Sequence, residues 1–206
     1  MRNLVRATLF LLFAAAFAAP LSAQDIRPLG GAARQGFWWG IGLGAAQGNL
    51  DCDNSACDSF KKYTFPMGDF HLGFTPSPKL ALGFEFTGGQ ISNGFLQAGS
   101  DEKETIGDAN FSAYFYPQAA GNFFLQGGVA AVVWQAKLNS NWDRLVTGGL
   151  TAGAGYDFRF GRNASITPVI RGVFSSSHAL KDQDGNDPAP GTKFKLSLIQ
   201  GGVSIL

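Results

Sequence analysis

The sequence predicts an all-β chain, an eight-stranded antiparallel up-and-down transmembrane β-barrel, and three observations carry that prediction. The first is alternation, plainest in Leu150–Phe160 (L-T-A-G-A-G-Y-D-F-R-F). Leu150, Ala152, Ala154, Tyr156, Phe158 and Phe160 share one face, while Thr151, Gly153, Gly155, Asp157 and Arg159 share the other. A period of two is that of a β-strand. The second is that the stretches between such strands alternate between long and short. The third is composition: 28 glycines, 19 phenylalanines and only 15% charged residues. No segment after the N-terminal run approaches the ~18 unbroken apolar residues of a membrane helix. In lipid, that leaves a closed barrel as the way to satisfy every backbone group.

The N-terminus reads as an export signal. Arg2 and Arg6 precede the apolar run Leu9 to Ala19, and Pro20-Leu-Ser-Ala23 supplies small residues for cleavage. Residues 1–23 are therefore expected to be removed, residues 24–36 to form a flexible periplasmic leader, and residues 37–206 to form the barrel. The length suits one domain. A net charge of +1 argues against a nucleic-acid partner.

Taken in order, strand one is Phe37–Ala46, with Phe37, Trp39, Ile41 and Leu43 outward and Trp38 and three glycines inward. The paired tryptophans are expected near the membrane interface. Strand two (Phe65–Thr75) puts Asp69 and His71 inward; strand three (Leu80–Gln90) puts Glu85 and Thr87 inward. Strand four (Thr105–Tyr116) turns Asp108, Asn110, Ser112 and Tyr114 inward, and strand five (Phe123–Gln135) turns Gln126 and Trp134 inward. Strand six holds the opening stretch. Strand seven (Ser165–Ser175) presents Thr167 and Arg171 inward. In strand eight (Lys193–Leu206) the apolar phase slips, Phe194, Leu196 and Leu198 preceding Ile199, Val203 and Ile205, so a bulge is expected near Leu198. Residues 47–63, 92–104, 137–144 and 176–192 read as long polar loops; residues 76–79, 117–122 and 161–164 read as short turns.

A soluble up-and-down barrel would carry its charges outside and its large side chains within. Here single charges fall on the glycine-bearing face, as a polar lumen requires. On that strand pattern, residues 37–206 resemble the small outer-membrane barrels related to the OmpA transmembrane domain, OmpX and the opacity-type porin-like proteins. The resemblance implies a cell outer-membrane location in a Gram-negative envelope, and contact with outer-membrane lipid and lipopolysaccharide. It also implies biogenesis through periplasmic chaperones and the barrel-assembly machinery. One departure is the end, Ser204-Ile205-Leu206, where the family usually ends in an aromatic residue.

Chemistry could reside in four places. The inward charges Asp69, His71, Glu85, Asp108, Asp157, Arg159 and Arg171, joined by Lys193 and Lys195, are expected to pair as an ion network filling the lumen. An isolated buried charge costs several kcal/mol. Cys52 and Cys57 read as a loop disulfide in an exported chain; zinc generally needs four ligands, and no His or further Cys lies nearby. Asp182, Asp184 and Asp187 are a weak calcium candidate, because the glutamate that would close an EF-hand loop is missing. Ser175 and His178 suggest a lipid-modifying enzyme, but the serine lacks its base and orienting carboxylate. The sequence therefore points to a non-enzymatic barrel without cofactor that serves the envelope or binds an external ligand through its loops. The alternative is a narrow gated channel for small or hydrophobic solutes.

Overall fold

The structure, a computed structural model, describes residues 36–53, 62–92, 103–119, 121–138, 141–160, 164–179, 181, 185 and 191–206. The expected signal segment, most of the leader, Cys57 and the aspartates 182, 184 and 187 lie outside them.

Eight antiparallel strands close into a barrel. They are β1 (Gly36–Cys52), β2 (Tyr63–Ser77), β3 (Leu80–Ser92), β4 (Lys103–Phe115), β5 (Phe123–Leu138), β6 (Asn141–Tyr156), β7 (Ser165–Ser175) and β8 (Lys193–Ile205). Each pairs with its sequence neighbours, and β1 closes against β8 through the ladder Ile41↔Ile205 to Cys52↔Phe194. Closure leaves no exposed edge. Two short pieces, Phe158–Arg159 and His178–Ala179, prolong β6 and β7.

Prolines mark the ladder's defects. Between β6 and β7 the pairing stops at Gly155↔Val169 and resumes in the same register at Phe158↔Ile166, skipping Pro168, which has no amide hydrogen to offer. In β2 the register shifts between Phe74 and Ser77, a stretch that contains Pro76.

The outer wall carries an apolar belt. Phe37, Trp39, Ile41, Leu43, Phe84, Phe86, Phe111, Leu125, Val129, Leu150, Phe158, Ile170, Phe174 and Ile199 are all exposed. In β7 the belt runs from Ile166 to Phe174, about 27 Å along the strand. At a ~40° tilt this gives roughly 20 Å of height, close to the ~25 Å apolar band of a membrane barrel. Glycines on the inner wall make room for large side chains. A side chain at Gly42 would collide with Asp69 and Ser204, and one at Gly73 or Gly83 with the Trp38 ring.

Beyond the belt, towards the long connections, the polarity inverts. Gln47, Asp51, Gln90, Arg144, Lys193 and Lys195 face outward there. Leu50, Phe65, Ile91, Ile106, Val132, Trp134, Leu145, Phe194, Leu196 and Leu198 are buried inside. This section is built like a water-soluble barrel with an apolar core.

The inversion corrects several expectations. The β1–β8 ladder is continuous, so no bulge occurs at Leu198. Phe194, Leu196 and Leu198 point inward because they lie above the belt; Ile199, Val203 and Ile205 point outward because they lie within it. Lys193 and Lys195 accordingly face out and are exposed, and do not join the lumen. Residues 137–144 are not a long loop: β5 and β6 stay paired through Lys137↔Trp142 to Leu138↔Asn141. Of the paired tryptophans, only Trp39 reaches the outer surface; Trp38 packs inside, edge-on to Tyr114 at 5.5 Å between ring centroids.

Candidate lumen site

The lumen contains side chains in three layers. At the short-turn end, Ala81, Tyr114, Tyr116 and Phe124 form a buried cluster, with Trp38 and Val169 against it. At the long-connection end lies the apolar core just described. Between them sits the polar layer, placed by strand register. Arg171 lies opposite Gln200 on β8 and Gly153 on β6, and the absent side chain at Gly153 leaves room for it.

Arg171 is the hub of that layer. Its guanidinium donates to Glu85 and Thr87, and its Nε donates to Gln200. Asp108 Oδ1 lies 3.6 Å from Arg171 Nη2. Glu85 also accepts from Tyr114 Oη at 2.6 Å and from Gln126 Nε2 at 2.7 Å. Asp108 accepts from Gln200 Nε2 at 2.6 Å and from Asn110 Nδ2. Charge-assisted bonds of this kind are the strong ones, and here every charged member is buried.

The other inward charges sit apart from this hub. His71 Nδ1 lies 3.1 Å from Asp69 Oδ2, and Ser204 Oγ donates to the same carboxylate at 3.2 Å. Nearer the short turns, Asp157 accepts from Thr167 Oγ1 at 3.0 Å and from Tyr116 Oη at 3.2 Å. Arg159 follows it, half-buried, in the prolongation of β6. The seven residues read from the sequence thus occupy one lumen but fall into separate groups.

Several partners of these charges lie outside the seven site residues that the sequence suggests. Gln200, Ser204, Gln126 and Tyr114 are uncharged, and a search for charges passes over them even though their inward phase was readable. Glu104 reads as loop in the sequence, yet it lies in β4, is 3% exposed and accepts from Trp134 Nε1 at 2.9 Å. Its signal was hidden because the strands continue beyond the membrane.

The remaining candidates are placed as follows. Ser175 is buried, and its hydroxyl accepts the Leu196 N–H at 2.8 Å and donates to the Ser176 carbonyl at 3.2 Å. His178 pairs through the backbone with Phe194 and is exposed. Cys52 ends β1 and packs against the apolar core.

A closed antiparallel barrel with an apolar belt outside and charges within defines a membrane-spanning protein of the outer-membrane type. The comparisons agree on the fold. Neisserial surface protein A is 11% identical, with 82% of this chain and 98% of that one aligned and a TM-score of 0.51. The outer-membrane protein OprG from Pseudomonas aeruginosa is 12% identical, with 86% and 99% aligned and a TM-score of 0.51. No family model matches the chain, and no curated protein matches it either.

Proposed function

We propose that this chain is a non-enzymatic barrel of the outer membrane whose lumen is closed, and whose role is structural or is carried by its long connections. One observation supports the closed lumen above all: the Arg171 hub is backed by an apolar layer that includes Trp134, Leu145, Leu196 and Leu198. Residues of both layers, Met67, Thr87, Asp108, Leu198 and Gln200, line a cavity of about 10 Å³. That is close to the room one water needs, far below that of a nutrient. The engaged Ser175 hydroxyl favours the non-enzymatic reading.

The second reading is a narrow path for small solutes. It is favoured by buried polar atoms with no protein partner, among them Trp38 Nε1, His71 Nε2 and Gln126 Oε1. Liposome swelling separates the two. Proteoliposomes are expected to swell in isosmotic arabinose no faster than empty vesicles, and faster swelling would favour the channel.

The connection after β1 carries a further expectation. We propose that Cys52 and Cys57 are joined in the exported protein. Closing a loop of about six residues stabilises by about 2 kcal/mol in the chain-entropy account. Alkylation of the unfolded, unreduced protein is expected to add no mass at either cysteine, and two adducts would refute the bond.

A further inference from the structure

A basic cluster stands above the apolar belt on the outer face of β6, β7 and β8. Arg144 and Lys181 are bridged as direct cross-strand partners by reciprocal backbone bonds of 2.7 and 3.0 Å. Residues directly opposite in an antiparallel pair project to the same face, where like charges repel. Both are exposed, and neither forms an ion pair with a described carboxylate. Among the described residues, Lys181 Nζ donates to the carbonyl of Gly185 at 3.2 Å. Lys193, opposite Ala179 and two residues along from Lys181, extends the cluster, and Lys195 follows on the same face. Among the described residues, the acids beside Lys193 and Lys195 are Asp53 and Asp51, both on the β1 flank. The β6–β7 side carries, among the described residues, two facing cations.

Height places the cluster. Arg144 is two residues beyond Val146, and Lys195 four beyond Ile199, the outward apolar residues that precede them in the belt. At ~3.4 Å per residue and ~40° tilt, the charges stand about 5–10 Å above the hydrocarbon. That is the depth of the headgroup layer.

We propose that Arg144 and Lys181, extended by Lys193, form a docking site for the phosphate of an anionic outer-leaflet lipid. A phosphate between the two side chains relieves their repulsion, and Arg supplies paired donors to its oxygens. The belt immediately below receives the acyl chains of the same molecule, which selects a lipid over a free anion. The site goes beyond the closed-lumen reading and does not depend on it.

The test uses the full chain refolded in detergent, with bisphosphorylated lipid A as the probe and binding followed by native mass spectrometry. A heat-shifted gel band first establishes that each variant is folded. R144Q/K181Q is expected to weaken binding about thirtyfold, from loss of roughly 1 kcal/mol of surface attraction for each of the two charges. K79Q, in the turn at the opposite end, is expected to leave binding unchanged. Raised salt should weaken the wild type more than the double variant. Dephosphorylated lipid A should bind both equally. Three results would overturn the proposal: unchanged affinity in R144Q/K181Q, an equal loss in K79Q, or displacement of lipid A by millimolar inorganic phosphate, which would mark a free-anion site.

Discussion

Replacing Arg171 by alanine is expected to destabilise the barrel by about 3–5 kcal/mol, the usual consequence of removing one partner from a buried ion pair. The side chain bonds Glu85, Thr87 and Gln200 and faces Asp108. Without it, two carboxylates that are each 5% exposed remain together with no cation between them. Urea unfolding in phospholipid vesicles, followed by tryptophan fluorescence, measures the loss. The double variant R171M/E85Q is expected to regain part of it, because uncharged side chains of similar volume often replace a buried pair at little cost. A single variant within about 1 kcal/mol of wild type would show that the hub does not hold the middle of the barrel.

Trp134→Ala is expected to cost a similar amount, about 3–5 kcal/mol, for a different reason. Trp134 is 1% exposed at the centre of the upper apolar layer, and its truncation leaves a cavity among Val132, Leu145 and Leu196. It also removes the donor to Glu104, leaving that buried carboxylate one bond short. Because this layer lies beyond the belt, the variant should still insert, yet show earlier proteolytic cleavage at the long-connection end. Trp39→Ala, which trims an outward ring that is 57% exposed, should leave that cleavage unchanged. Equal cleavage of W134A and wild type would contradict a packed upper layer.

Strand number, inward and outward phase, and most inward charges were legible because alternation is a local property of the chain. Where one face meets lipid and the other meets charges, Leu150–Phe160 declares itself without its neighbours. The section above the membrane was not legible in the same way. Period-two alternation gives the two faces of a strand but not which of them meets solvent, and that assignment reverses where the chain leaves lipid. Phe194, Leu196 and Leu198 therefore looked like a register slip, and Glu104 like part of a loop. That the inward charges would pair was legible, but not which of them would meet. Glu85 and Arg171 are 86 residues apart in the chain, and the closing shear of the barrel, not their local sequence, brings them together.

Single-channel recording in planar bilayers tests the proposed closed lumen most directly. In 1 M KCl at ±100 mV, wild-type protein is expected to give no conductance steps above the lipid baseline. R171A is expected to stay silent as well, because the apolar layer containing Trp134, Leu145 and Leu196 remains beyond the hub. Stable, uniform steps from folded wild-type barrels would contradict a closed lumen.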